Sequence, residues 1–318
     1  MRILVIKLGA LGDVVLAFQA FADIRAHHPG ARITLLTTGA FAGFLEDAPW
    51  FDEVSVDRRP GWWDLRGVLR LRRALRGFDL VYDLQTSGRS SRYFWLAGRP
   101  AWSGIAAGAS MLHANPGRNG MHTVERQRDQ LAVAGVPAGP AAEVGWLVSG
   151  VEDGAGGGAW VAGTSPAITD CYALLIPGAA PHRPGKRWPV GHFAALARVL
   201  EAGGVTPVVV GAASEGVLAA EILAGCPGAV DLTGRTSLRA LAGLAAGAAF
   251  AVGNDTGPMH LAAAMGCGGV VLFGADSDPA LTAPRGRMRV LRAERLADLA
   301  PERVAAALGD VHTLQPLF

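Results

Sequence analysis

The chain has 318 residues, half of them hydrophobic and 18% charged, with a formal net charge of only +2. That length suggests two domains, and the apolar content suffices for two cores, which argues against bulk disorder and against a small scaffold that needs staples. The three cysteines, Cys171, Cys226 and Cys267, are odd in number, far apart and in no C-x-x-C pair. Neither a disulfide framework nor a zinc site is expected, and a reducing compartment fits.

Residues 2–6 (RILVI) read as a buried parallel strand. Lys7 and Asp13 interrupt the apolar start and no cleavage site stands out, so a signal peptide is not expected. The loop Gly9-Ala10-Leu11-Gly12 leads to Asp13, the expected N-cap of an amphipathic helix running to about His28. A strand over 32–37 follows, and later a helix over 64–76 precedes a strand over 78–83. The stretch from Gly150 to Asp170 holds six glycines and reads as a linker or exposed loop.

Beyond it the pattern repeats: strand 172–176, helix from about Val190, strand 205–210, helix 214–224, strand 229–232, helix 237–246 and strand 249–252. Helix 258–265, strand 269–273 and a last helix over 298–308 complete the chain. The apolar stretch from Gly257 to Ala275 contains Pro258, His260 and a glycine turn, so it reads as helix, turn and strand, not as a membrane span. Strands alternating with helices predict parallel sheets, whose ligands sit beyond the carboxyl ends of the strands. The candidate loops are therefore 7–13, 85–89, 177–189, 211–215 and 253–260.

Basic residues comprise 27 Arg and two Lys, Lys7 and Lys186. Lysine is a compact, mobile point charge suited to a phosphate, which singles out both positions. From Arg58 to Arg128, thirteen Arg stand against four acids. Such a region is expected to attract anionic partners. A solvated helix face is the equal alternative for Arg66 to Arg76, and no nucleic-acid-binding signature accompanies the arginines.

The loop from Gly178 to Pro189 is small, then strongly basic, and its Lys and Arg offer the charge-assisted contacts a diphosphate needs. Its plainer reading is a solvated turn in which Pro189 opens a helix. In the segment GNDTGPMH (253–260), Asp255 or Thr256 is expected to cap the helix. Free N–H groups at that helix start favour an anion, whereas Asp255 suits sugar hydroxyls. His260 faces either ligand or core. Asp13 is either a plain N-cap or a carboxylate that takes a proton from an attacking hydroxyl. With glycines only at 9 and 12, its loop is not a dinucleotide fingerprint. Glu215 either accepts ribose hydroxyls or favours a helix N-terminus. Asp276-Ser277-Asp278 is read as a turn, not as a metal-holding D-x-D.

In order, KLGALGDVVLA (7–17), DLQTSGRSS (83–91), KRWP (186–189), VVVGAASE (208–215), GRTSLRALAGL (234–244), GNDTGPMHLAAAMG (253–266) and VVLFG (270–274) resemble glycosyltransferase family 9, the lipopolysaccharide heptosyltransferases. The resemblance implies an α/β fold of GT-B type: two Rossmann-like, doubly wound domains facing across a cleft. Residues 1–160 would bind the acceptor and 161–318 the nucleotide-sugar. It also implies inverting transfer of a heptose from ADP-L-glycero-D-manno-heptose to an anionic sugar of the lipopolysaccharide inner core. The reaction would take place at the cytoplasmic face of the inner membrane.

By that resemblance Asp13 would be the general base and Lys186 would hold the donor phosphates. Glu215 would contact the ribose, Thr256 and Gly257 the diphosphate, and Asp255 the heptose. His260 would sit beside the donor, Thr236 near the adenine, and Gly12 among the donor contacts. Arg58, Arg59, Arg89 and Arg92 are the candidates for the anionic acceptor. No metal or other cofactor is required if Lys186 and backbone N–H groups carry the phosphate charge. Any contact with the inner membrane would be peripheral, and nucleic acid is not expected. The chain departs from the family at Pro181 and His182, where a compared member has threonines, and at Thr236, where a bulky side chain is replaced. It also reads FGAD after the last strand, where members often read F-G-P-T. The alternatives are a GT-B enzyme with another nucleotide-sugar or acceptor, and a nucleotide-binding homologue without turnover.

Overall fold

The apolar run RILVI forms strand β1 (Arg2–Ile6), in which Ile3 to Ile6 are fully buried. Burial on both faces is what a central parallel strand requires, because helices cover both sides of the sheet. Each such Leu, Ile or Val contributes roughly 1.5–3 kcal/mol by leaving water. In the computed structural model, which describes residues 1–149, 171–180 and 183–309, the chain forms two units, Met1–Trp146 and Leu147–Phe318. The glycine-rich stretch, the division expected at 160, and Pro181 and His182 lie outside the described residues.

In the first unit β1 joins β2 (Arg32–Thr37), β3 (Glu53–Val56), β4 (Leu80–Asp83), β5 (Ala101–Gly104) and β6 (Met111–Leu112). All pairings are parallel and the order is β3-β2-β1-β4-β5-β6. The second unit holds β7 (Tyr172–Ile176), β8 (Thr206–Val209), β9 (Val230–Asp231), β10 (Phe250–Asn254), β11 (Gly269–Phe273) and β12 (Met288–Arg292). Its sheet is also parallel throughout, in the order β12-β11-β10-β7-β8-β9. Numbered within its own unit, each sheet runs 3-2-1-4-5-6, the dinucleotide-fold order. The direction of winding reverses between the first and fourth strands, which opens a crevice at their carboxyl ends. Those ends belong to β1 and β4 in one unit and to β7 and β10 in the other.

The single helix expected after Asp13 is two helices, α1 (Leu11–Val15) and α2 (Phe18–His27). Asp13 is not the N-cap: Ala10 holds that position, and Asp13 in the first turn accepts the Ala10 N–H at 3.2 Å. Gly9 has a φ of 126°, and a Cβ there would strike the Phe41 ring, so only glycine makes this turn. Further on come α3 (Gly39–Leu45), α4 (Leu65–Leu75), α5 (Gly88–Ala97) and α6 (Thr123–Val133). Asp64 caps α4 by accepting the Gly67 N–H at 2.9 Å, and the helix buries Leu71 and Leu75. Its Arg66, Arg70, Arg72 and Arg73 are exposed, in keeping with the solvated-face reading.

The helices of the second unit among the described residues are α7 (Val190–Ala202), α8 (Gly216–Gly225), α9 (Leu238–Gly247), α10 (Gly257–Ala264), α11 (Pro279–Thr282) and α12 (Pro301–Gly309). Its core gathers Trp188, Phe193, Leu196, Ile222 and Val252. Among the described residues no helix is long and apolar enough to cross a membrane.

Candidate functional site

The basic loop after β7 is shaped by one amide. Asn254, the last residue of β10, is fully buried. Its Nδ2 donates to the carbonyls of Pro177 and Gly178 at 2.8 and 3.3 Å, and its Oδ1 accepts the Trp188 N–H at 2.9 Å. Both arms of the loop are thereby tied to the strand at the crevice. Trp188 is buried and donates from Nε1 to the Leu299 carbonyl at 2.8 Å, while Arg187 Nη2 donates to the Ala179 carbonyl at 3.1 Å. An amide buried without these partners would cost about 1–3 kcal/mol, so the bonds are specific as well as favourable. Asn254 is not among the site residues expected from sequence. The available signal was a lone amide ending an apolar strand.

Lys186 and Asp255 meet next to this brace, Nζ to Oδ2 at 2.5 Å, with side chains 12% and 7% exposed. The His260 Nε2 stands 3.9 Å from the other Asp255 oxygen. Burial by itself pushes the Asp255 carboxyl up, but His260 and Lys186 overcome it and hold the group below the usual carboxylate range. His260 thus faces Asp255 and is buried, with no hydrogen-bond partner on Nδ1 among the described residues. Thr256 occupies the N-cap position of α10, yet no side chain caps the helix, and Pro258 lies in the first turn. The capping expected of Asp255 or Thr256 is therefore corrected: Asp255 is committed to Lys186.

Glu215 precedes α8, and its Oε2 accepts the Ala212 N–H at 2.8 Å. A Cβ on Gly178 or on Gly211 would overlap its carboxylate, so Glu215 lies against the backbone of the β7 loop. Thr236 is half-buried beside Ser237, which caps α9 through the Ala240 N–H at 3.1 Å. In the D-x-D triplet, Asp278 caps α11 by accepting the Ala280 N–H at 3.0 Å, in keeping with the turn reading.

A pocket of about 230 Å³ lies in the first unit beyond β1 and β4, lined among others by Asp13, Lys7, Gln85, Arg118, Arg126 and Gln127. Lys7 is not an open phosphate ligand: it is 4% exposed and donates to the Leu84 carbonyl at 3.2 Å. Burial pushes its pKa down; Asp13 and Asp83 oppose this, and Arg126 adds to it. Asp83 is fully buried and pushed up to about 6 by that burial, although its Oδ1 accepts the N–H groups of Gln85 and Thr86 at 3.1 and 3.0 Å. Gln85 Oε1 accepts the Leu8 N–H at 2.8 Å, which stitches the two loops together. Gly12 lies within α1.

Three of the four expected acceptor arginines gather around residues 57–62. Arg59 donates its N–H to Asp57 at 2.8 Å and Nη2 to the Leu8 carbonyl at 3.1 Å. Arg89 and Arg92 lie over the Trp62 ring at 5.7 and 5.4 Å. Arg58 is exposed. Arg118 and Arg126, nearer Asp13 in the pocket, were not expected from sequence.

Residues 68–299 match the model of glycosyltransferase family 9 (heptosyltransferase). Lipopolysaccharide heptosyltransferase 1 of Pseudomonas aeruginosa is 29% identical over 312 residues, covering 91% of this chain and 83% of the relative. Lipopolysaccharide heptosyltransferase 1 of Salmonella typhimurium is 25% identical, covering 98% of this chain and the whole relative. Among solved structures, E. coli ADP-heptose lipopolysaccharide heptosyltransferase II matches with a TM-score of 0.77 at 25% identity, covering 98% of each chain. E. coli heptosyltransferase WaaC, solved with ADP, matches with a TM-score of 0.78 at 24% identity, covering 98% of this chain and 100% of that one, a likeness of fold.

Proposed function

This chain belongs to glycosyltransferase family 9, and from that premise we propose that it moves a heptose from ADP-heptose, with inversion, to an anionic lipopolysaccharide inner-core acceptor. Its α/β fold is of GT-B type, it is a glycosyltransferase, and its heptosyltransferase relatives place it in lipopolysaccharide core synthesis. The finer assignments are the proposal. The observation that carries them is the Lys186–Asp255 pair at the crevice between β7 and β10, braced by Asn254.

In this scheme the first unit binds the acceptor and the second the donor. Asp13 takes the proton of the acceptor hydroxyl as its oxygen attacks the anomeric carbon, while the bond from that carbon to the diphosphate breaks. One displacement inverts the centre. The departing charge is met by Lys186 and by the uncapped start of α10 at Thr256 and Gly257. No metal or other cofactor is required when these groups carry it. Asp255 then has a second task, to accept heptose hydroxyls, with His260 orienting its carboxylate. Glu215 takes the ribose, Thr236 borders the adenine, and Gly12 gives close backbone approach to the donor. Arg58, Arg59, Arg89 and Arg92 meet the anionic acceptor. Thermal shift and calorimetry with ADP, UDP, GDP and NAD test the donor assignment. At a hundred times its Kd, ADP is expected to stabilise the protein by about 2.7 kcal/mol. A preference for UDP or GDP would remove ADP-heptose from the scheme.

We place this chemistry at the cytoplasmic face of the inner membrane, with peripheral contact. Trp63, Leu65 and Leu69 are 87%, 72% and 51% exposed beside the exposed arginines of α4. Apolar side chains rimmed by cations suit an anionic bilayer surface. Co-sedimentation with phosphatidylglycerol-containing vesicles is expected at low salt, weakening with added salt and lost in Trp63→Ala/Leu69→Ala. Wild-type protein that ignores such vesicles would remove the contact.

A further inference from the structure

We propose that Asp57 and Tyr93 are positioning residues: they set Arg59 against the Leu8 carbonyl and so fix the loop that carries Asp13. This inference rests on the reading of Asp13 as the base, and it gives Arg59 a task besides meeting the acceptor.

Leu8 is the point at which the loops of the first sheet are tied together. It follows β1, is 2% exposed, and has both polar backbone groups bound by side chains from other loops. Its N–H donates to Gln85 Oε1 at 2.8 Å, from the loop after β4. Its carbonyl accepts Thr38 Oγ1 at 3.2 Å, from the end of β2, and Arg59 Nη2 at 3.1 Å, from the loop after β3. Buried backbone groups are almost always paired, and here the partners are side chains instead of a neighbouring strand. Those three side chains therefore decide where the Leu8 peptide stands. Gly9 and Ala10 follow directly, and the Ala10 N–H is the group that Asp13 accepts at 3.2 Å.

Arg59 is exposed, yet its backbone is held in place. Its φ is 50°, in the left-handed region that a side chain of this size rarely adopts. Asp57 secures that conformation, because Oδ1 accepts the Arg59 N–H at 2.8 Å. The other carboxylate oxygen accepts the Tyr93 hydroxyl at 2.6 Å. Asp57 is buried, Tyr93 is fully buried on α5, and the Asp57 N–H donates to the Thr37 carbonyl at 2.7 Å. The carboxylate is thus fixed between the ends of β2 and β3 and a helix. Burial, and then the bond to Asp57, push the Tyr93 phenol far above its ordinary pKa, with Arg89 opposing. The hydroxyl therefore keeps its proton and remains a donor to Asp57. Polar pairs are costly to bury, and their use is to fix one geometry where an apolar pair would allow several. Here the geometry runs from Tyr93 through Asp57 and Arg59 to Leu8. With Nη2 committed to that carbonyl, the other N–H groups of Arg59 are left for an acceptor anion.

The test uses the full-length protein, ADP-heptose and truncated lipopolysaccharide from cells that make no heptose. Tyr93→Phe removes one oxygen at a fully buried position that neither substrate can touch. It is expected to lower the single-turnover rate at saturating substrates by about 10-fold, well within what a slightly misplaced base costs, with ADP affinity and acceptor KM within about twofold. Arg59→Gln should lose more rate, and its acceptor KM should rise as well. Both variants are then measured on an Asp13→Asn background. A residue that acts through the placement of Asp13 has nothing left to place there, so Tyr93→Phe should cost less than about twofold further. A general loosening of the fold would carry through undiminished. Each variant is first checked by circular dichroism at the assay temperature and for its ADP-induced shift in melting. Were Tyr93→Phe to fail that check, the rate loss of Arg59→Gln, at an exposed side chain, carries the same comparison. A folded Tyr93→Phe that turns over as wild type, beside a crippled Asp13→Asn, overturns the brace alone. So does a loss that persists in full without Asp13, or a rise in acceptor KM at unchanged rate. Wild-type turnover in Asp13→Asn would overturn the base reading and the brace built on it.

Discussion

Asp13→Asn is expected to lower kcat by about 10²–10⁴-fold, the range of a lost general base, while ADP affinity stays within about twofold. The substitution is close to isosteric. The asparagine oxygen can still accept the Ala10 N–H that Asp13 accepts at 3.2 Å, so the turn after Gly9 is preserved. What disappears is the ability to take a proton. Single-turnover transfer, with ADP binding measured in parallel, separates the two effects. If the variant turned over at the wild-type rate, the base would have to be sought elsewhere, and the pocket offers no obvious substitute. Lys7 is buried against the Leu84 carbonyl, and Asp83 is fully buried behind it. The arginines do not accept protons.

The strands at the two crevices were legible because they are continuous apolar runs. RILVI and YALLI are buried on both faces, and no helix of that length would be stable alone. Of the edge strands, β9 was expected over 229–232 and the others were not. β3 is the four residues EVSV, none of them buried, and β12 breaks its apolar residues with Arg289 and Arg292. Half-wet edge strands carry a weak apolar signal, so both were missed, along with β5, β6, α3, α5, α6 and α11. The early helix failed differently. Asp is a good N-cap, and its preference suggested a start at Asp13. The glycine turn instead lets the helix begin at Leu11, which moves the carboxylate into the first turn.

Within the site, the residues that bear charge were readable and those that hold them in place were not. Two lysines in an arginine-rich chain drew attention to both, yet their environments diverge. Lys186 is paired with Asp255, whereas Lys7 is buried under the pocket. Nothing local in the sequence tells these fates apart, because they depend on which loop the sheet brings alongside. The same holds for Arg118, Arg126 and Gln127. They lie more than a hundred residues after Asp13 and meet it only through the winding of the sheet. Charge-rich surface helices are common, so the segment HTVERQRDQ carries no signal until its pocket face is known.

Lys186→Ala is expected to do two separable things. It should cost about 3 kcal/mol of stability, because Asp255 then keeps a buried charge with only His260 nearby, at 3.9 Å. It should also weaken ADP binding by about 100-fold, the scale of a lost charge-assisted contact to phosphate. Asp255→Asn in the same chain removes the stranded carboxylate, so the double variant should recover most of the stability and none of the ADP affinity. If the double variant bound ADP as Asp255→Asn alone does, Lys186 would be a structural counter-ion and not a phosphate ligand. Acid separates the effects again. The folded-state pKa of Asp255 lies below its unfolded value, so the wild-type contribution is full above the ordinary carboxylate range and fades as pH falls through the folded value. Without Lys186 a main opponent of burial is gone, and the carboxyl takes up its proton at a higher pH than in the wild type. The stability gap between wild type and Lys186→Ala should therefore narrow on acidification, as followed by denaturant unfolding at a series of pH values. A gap that stayed constant as the pH fell through and below the ordinary carboxylate range would show that the lost stability comes from packing of the lysine stem and not from its charge.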